Sequence, residues 1–288
     1  MSSAMRIRFW GVRGSIPCPG PDTVRYGGNT PCVEIRCGDR VLIFDAGTGI
    51  RALGQTLINA GMAAETNIFF SHSHLDHVIG LPFYAPLFTA GNRVHLWAGH
   101  LEDQPGVEEV VRKVMSYPLF PIEVETFRAQ IEFHDFRAGD KLKPGPGILV
   151  RTMPLSHPGG ATGYRVEFAG HSAAYITDIE LGDGPFDEGA MVLAEGAGAL
   201  IIDSTYTDKE MPAHRGWGHS SWQQVVRFAE QVGVGKLCLF HHDPDHDDAF
   251  MDAVGAAADE ARPGTLVARE GLILELRVAA GQAVESSL

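Results

Sequence analysis

The segment NIFFSHSHLDH, residues 67–77, constrains this chain more than any other feature. An apolar run with strand character, Asn67 to Phe70, feeds a turn that carries His72, His74, Asp76 and His77. Three imidazoles and a carboxylate in so short a stretch are costly to bury without partners. Imidazole nitrogen and carboxylate oxygen are ligands that zinc accepts, and the spacing lets His72 and His74 face one cation while Asp76 and His77 face another. A pair of such cations activates water as a nucleophile. The competing reading is a solvated polar loop that holds no ion.

The rest of the chain has the pattern of a two-sheet protein. Strand character recurs at Arg6 to Trp10, Cys32 to Arg36, Val41 to Phe44, Val94 to Trp97, Ile148 to Thr152, Gly163 to Phe168, Ala173 to Ile176, Ala199 to Ile202 and Lys236 to Phe240. Leu266 to Leu276 reads as a hairpin turning near Glu270-Gly271. Helical periodicity covers Ile50 to Ala60, Val107 to Met115, Ser220 to Val232 and Asp247 to Ala261, the third opening with Ser220 or Ser221 as N-cap. So many strands exceed one doubly wound unit, and the order predicts two sheets face to face with helices outside. With 288 residues, 44% of them hydrophobic, the chain can bury such a core as one unit spanning 1–288. The tail AAGQAVESSL reads as frayed.

Arg6, Arg8 and Arg13 interrupt the apolar positions at the start, which argues against a secretory signal, and no stretch approaches the ~20 apolar residues of a membrane span. Cys18, Cys32, Cys37 and Cys238 have no knuckle spacing and read as reduced thiols in a cytoplasmic protein. The formal charge of −13 disfavours an extended nucleic-acid surface, because polyanion binding needs clustered Lys and Arg. A small anionic substrate stays open, since bound divalent cations reverse the local sign of a site.

HSHLDH resembles the HxHxDH motif of the metallo-β-lactamase superfamily, and the other motifs of that superfamily follow in order: IFDAGTG with Asp45, LSHPGG with His157, YITD with Asp178 and LFHHDP with His241. The resemblance spans about residues 6–245 and implies an α/β, four-layer αββα sandwich. It also implies two divalent ions, zinc or manganese, with His72, His74 and His157 on the first, Asp76, His77 and His241 on the second, and Asp178 shared. Asp45 would support the ligands from behind, and His242 rivals His241 for the last position.

The superfamily hosts lactamases, thioesterases, lactonases, nucleases and diiron enzymes, so the fold alone does not fix the reaction. Diiron relatives carry an acidic residue where this chain has Ser73. DSTYTDKEMPAHRGWGHSSW, residues 203–222, resembles the phosphate-facing segment of ribonuclease Z and related phosphodiesterases, and Gly163 to Arg165 also matches that branch. On that resemblance Asp203 and Glu210 orient His219, which contacts the phosphate or protonates the leaving oxygen, while Asp76 orients the nucleophile. A loop histidine at a helix start is the plainer reading of His219. Ribonuclease Z grips RNA with a long arm inserted between the residues matching His157 and Asp178, but here only 20 residues lie between them.

The expectation is therefore a two-metal phosphodiesterase for small phosphodiesters, with cyclic nucleotides the leading candidates. The alternatives are a ribonuclease Z-like RNA 3′-end endonuclease and a metal-dependent lactonase or thioesterase. A homodimer is compatible with the sequence. Arg25, Tyr26 and Asn29, in the early glycine-rich segment, either shape the pocket floor or serve turns and packing. His95, His100, His134, His171, His214 and His246 lack motif support and read as structural or surface residues, with His246 and Asp243 candidates for supporting the site.

Overall fold

The structure is a computed structural model that describes residues 4–101, 106–182 and 186–276; the AAGQAVESSL tail lies outside them. Fourteen strands among the described residues form two seven-stranded sheets. The first contains β1 (Met5–Gly11), β2 (Cys32–Cys37), β3 (Arg40–Phe44), β4 (Glu65–Phe70), β5 (Arg93–Ala98) and β6 (Gln130–Asp135), with β14 (Ile273–Leu276) beside β1. The second runs from β7 (Lys141–Leu142) through β8 (Ile148–Leu155), β9 (Ala161–Phe168), β10 (His171–Ile176), β11 (Ala199–Asp203) and β12 (Lys236–Phe240) to β13 (Leu266–Val267). Each sheet is antiparallel in one half and parallel in the other, β3 to β6 and β10 to β13 being the parallel runs.

Burial follows from that arrangement. β1 and β8 alternate between buried and half-buried positions along much of their length, while β11 is buried throughout, the pattern of a parallel strand covered on both faces. Phe9, Phe44, Phe69, Tyr164, Tyr175 and Phe240 fill the space between the sheets. Outside the first sheet lie α1 (Ile50–Asn59) and α3 (Val107–Val114); outside the second lie α4 (Glu188–Ala194), α6 (Trp222–Val232) and α7 (Asp248–Ala261). Two further helices, α2 (Leu75–Val78) and α5 (Met211–His214), are single turns in the loops. The result is the expected four-layer αββα sandwich.

One sequence expectation changes, and one open choice is decided. Leu266 to Leu276 is not a hairpin: β13 adds parallel to β12, and the chain then crosses to the other sheet, where β14 pairs antiparallel with β1. Alternating apolar residues fit either partner, and only the parallel edge of β12 decides. The N-cap of α6 is Ser221, whose Oγ accepts from the Gln224 N–H while the Gln224 side chain accepts from the Ser221 N–H. Between β9 and β10 the chain turns on Ala169 and Gly170, both with positive φ, so the hairpin leaves no inserted segment.

Candidate metal centre

The parallel strands end together on one edge of the sandwich, where loops gather ligands in open α/β sheets. Asp45 follows β3, His72 follows β4, His157 follows β8, Asp178 follows β10 and His241 follows β12. Asp45, Asp178 and His241 have φ of 62°, 51° and 63°. Left-handed backbone is unfavourable for residues with a Cβ and survives where surrounding structure enforces it, commonly at functional sites.

The side chains converge in two groups. Ligand-capable atoms of His72, His74, His157 and Asp178 lie within 4.8 Å of one another, as do those of Asp76, His77 and His241. Asp178 bridges the groups: one carboxylate oxygen is 3.5 Å from His72 Nε2 and 3.8 Å from His157 Nε2, while the other is 3.3 Å from His77 Nε2 and 3.2 Å from His241 Nε2. Apart from His74 and His157, these seven side chains belong to buried residues. His72 Nε2 and His77 Nε2 are buried and make no aligned hydrogen bond. Orphaned buried nitrogens facing carboxylates are what a cation between them would satisfy. Burial opposes charge on His77, but Asp76, Asp178 and Asp45 outweigh it and hold the imidazole well above its usual range. Burial likewise opposes the Asp178 carboxylate, and His241 and His77 override it to hold the group well below its usual range. The donor set fits two divalent cations, one per group, with Asp178 between them.

The ligands are aimed from behind. His77 Nδ1 donates to Asp45 Oδ2 at 2.8 Å, and the same carboxylate accepts from Ser71 and from the Tyr175 hydroxyl at 2.7 Å. This matches the supporting role expected of Asp45 and fixes the His77 tautomer so that Nε2 faces the cleft. His157 Nδ1 donates to the Gly218 carbonyl at 3.0 Å. The Ser15 N–H donates to Asp76 Oδ2 at 2.9 Å. His242 belongs to neither group: its Nε2 donates to Ala268 O at 2.7 Å, and His241 takes the place in the cluster. Sequence reasoning missed Gly14, where a Cβ would sit 2.3 Å from the His241 ring, and Gly218, where one would sit 2.3 Å from His157 Nδ1. Their signal was only glycine in a loop.

His219 stands next to this cluster, one ring nitrogen within 4.8 Å of ligand atoms of Asp178 and His241. Its Nδ1 donates to Asp203 Oδ2 at 2.6 Å. The other Asp203 oxygen accepts from the Thr205 hydroxyl at 2.8 Å, and Thr205 Oγ lies 3.1 Å from His241 Nδ1. Asp203 therefore positions His219 directly and His241 through Thr205. Burial works against the charged form of His219, yet Asp203, with Asp178 and Asp76 behind it, raises the group to about 9.

The expectation that Glu210 also orients His219 is corrected. Glu210 accepts from Thr207 and pairs with His246 Nε2 at 2.9 Å, a contact the linear pattern does not reveal. Besides that pair, the carbonyls of His246 and Asp243 accept from the buried Arg13 guanidinium. Arg25, Tyr26 and Asn29 do not form a pocket floor: the first two pair with Asp252 of α7 and the third with Glu270. Gly163 to Arg165 lie in β9, where Tyr164 donates to Phe70 O and Arg165 to the carbonyls of Leu193 and Glu195, all packing contacts.

Residues 40–242 match the model of the Beta-lactamase superfamily domain. Among curated proteins, Ribonuclease Z of Gemmatimonas aurantiaca is 23% identical, covering 94% of this chain and 95% of that protein. Ribonuclease Z of Thermoplasma acidophilum is 25% identical, covering 87% and 90%. Among solved structures, the metallo-β-lactamase fold protein YhfI of Bacillus subtilis superposes with a TM-score of 0.69 at 18% identity over 95% of this chain and 100% of that one. A diphosphatase from the PhnP family superposes at 0.68 and 20% identity over 95% and 98%.

Proposed function

The chain belongs to the β-lactamase superfamily and is a metal-dependent hydrolase, and on that basis we propose that it hydrolyses small phosphodiesters with two divalent cations, zinc or manganese. His72, His74 and His157 would hold one cation, Asp76, His77 and His241 the other, and Asp178 both. Bound there, the cations supply a strongly acidified water and take up charge on phosphoryl oxygens.

The observation that carries the phosphodiester reading is His219, held at the lip of the cluster by Asp203, whose carboxylate favours the imidazolium. A fixed imidazolium there meets the need of a phosphate, which carries charge in both ground and transition states, and can give its Nε2 proton to a departing ester oxygen. Hydrolysis of a lactone or thioester gains less from it. The Asp76 carboxylate, steadied by the Ser15 N–H, would orient the attacking water.

Curated relatives named Ribonuclease Z favour phosphodiester chemistry and also a second reading, in which the substrate is RNA. Against long RNA stand the short β9–β10 turn and the acidic excess of 36 residues over 23 basic ones. Turnover of bis-p-nitrophenyl phosphate, cyclic mononucleotides, precursor transfer RNA, a lactone and a thioester by metal-loaded protein tests both. Cyclic nucleotides should be hydrolysed with the higher kcat/KM at physiological salt. Efficient transfer RNA cleavage without cyclic-nucleotide turnover would establish the RNA reading instead, and lactone or thioester turnover alone would remove both.

A further inference from the structure

Outside the metal centre, one further group of ligand-capable side chains converges among the described residues: His95 on β5 with Glu132 and His134 on β6. β6 is the edge strand of the first sheet, paired there with β5 and without a fully buried position. Side chains two residues apart on a strand share a face, and the register sets His95 opposite Glu132 and Trp97 opposite His134. All four therefore project from the face on which Phe69 and Trp97 meet the core between the sheets. Three atoms come together there. His95 Nδ1 lies 3.0 Å from His134 Nε2 and 3.4 Å from Glu132 Oε2, and the last two are 3.8 Å apart.

These are the spacings of a coordination shell. With bonds of about 2.1 Å, the corners of a tetrahedron around zinc lie about 3.4 Å apart. A proton between the two imidazoles satisfies two of the three atoms, whereas a cation satisfies all of them. The ligands are also aimed in advance. The Glu65 carboxylate faces His95 Nε2 at 3.6 Å, which favours the proton on that nitrogen and leaves Nδ1 with its lone pair toward the group. Trp97 stacks on His134 with centroids 3.9 Å apart and planes 13° from parallel, and its Nε1–H donates to Asn67 Oδ1 at 3.0 Å. Glu132 Oε1 accepts from Gln130 at 3.3 Å, which leaves Oε2 to the group. All three residues are half-buried, so an ion enters from solvent and water completes its shell. We propose that His95, Glu132 and His134 form a third cation site, separate from the buried centre, in which a zinc ion clips the edge strand β6 to β5. The inference does not depend on which bond the buried centre cleaves. One half-exposed carboxylate attracts a cation less than the buried Asp76 and Asp178 do, so gel filtration after reconstitution empties this site and leaves two ions in the centre.

Calorimetric titration of the reconstituted, gel-filtered protein with zinc tests it, and one further ion per chain should bind. Hydrogen exchange followed by mass spectrometry supplies the local readout. With free zinc at about ten times the measured Kd, any opening of β6 that breaks the site should be suppressed by about 10-fold, and its amides should exchange that much more slowly. His134→Gln should abolish both the further binding and the slowing while the two ions of the buried centre stay in place. Glu132→Gln, which preserves the side chain's shape and the Trp97 stack, should do the same and guards against a loss caused by disturbing the sheet. No uptake beyond the buried ions, uptake that survives both substitutions, or β6 exchange that zinc does not slow overturns the site.

Discussion

At the scale of single residues, Asp203 orders two members of the site at once. It accepts from His219 with one oxygen and reaches His241 through Thr205 with the other. His219→Ala should retain both cations and the fold while kcat for a phosphodiester falls by about 100-fold or more. Metal analysis alongside steady-state kinetics separates these effects, and near-normal turnover would take His219 out of the mechanism. Asp203→Asn gives a pH signature. His219 is raised to about 9, so activity that needs its cation is present below that value and lost as pH rises through it. Removing the carboxylate lowers the group, and the high-pH limb of the kcat profile should move to lower pH, whereas a structural role would scale the profile without shifting it. The pairing of Asp203 with His219 was legible in the sequence as two ends of one motif. The partner of Glu210 was not, because His246 lies 36 residues away and meets it only through the fold.

At the scale of elements, the strand ends decide the geometry. HSHLDH, YITD and LFHHDP were readable because each follows a strong apolar strand, and a strand that ends in the core leaves the next side chain at its rim. What the pattern could not show was how loops close over those rims. Gly218, at φ 84°, lets its carbonyl accept from His157 Nδ1 at a distance no Cβ permits. Gly218→Ala should displace His157 and weaken cation affinity by about 10-fold or more, measured by competition with a chelating dye. β6 and α4 escaped the sequence reading. β6 is an edge strand, QIEFHD, with no fully buried position, and α4 is a single short amphipathic stretch. The terminal segment was misread because the partners of β13 and β14 lie in different sheets.

At the scale of the whole molecule, two sheets and their helices bury a centre rich in histidine, and this makes stability sensitive to acid. Burial above all pushes His242 down to about 3, below the ~6.5 of an exposed imidazole, while its Nε2 donates to Ala268 O. The unfolded chain then binds the proton more readily, so the stability contributed is full above about pH 6.5 and lost as pH falls toward 3. His242→Gln should lose less of its urea midpoint than the parent between pH 7.5 and 5.5; cation release on acidification is common to both chains and cancels in the comparison. The acidic surface and the short β9–β10 turn belong to this scale too, since both bear on how large a substrate can be. The most direct test of the account is the number of cations per chain after reconstitution with zinc, measured by inductively coupled plasma mass spectrometry. Two ions per chain are expected, with Asp178→Ala losing at least one of them together with most activity; one ion or none in the reconstituted parent would contradict the two-cation centre.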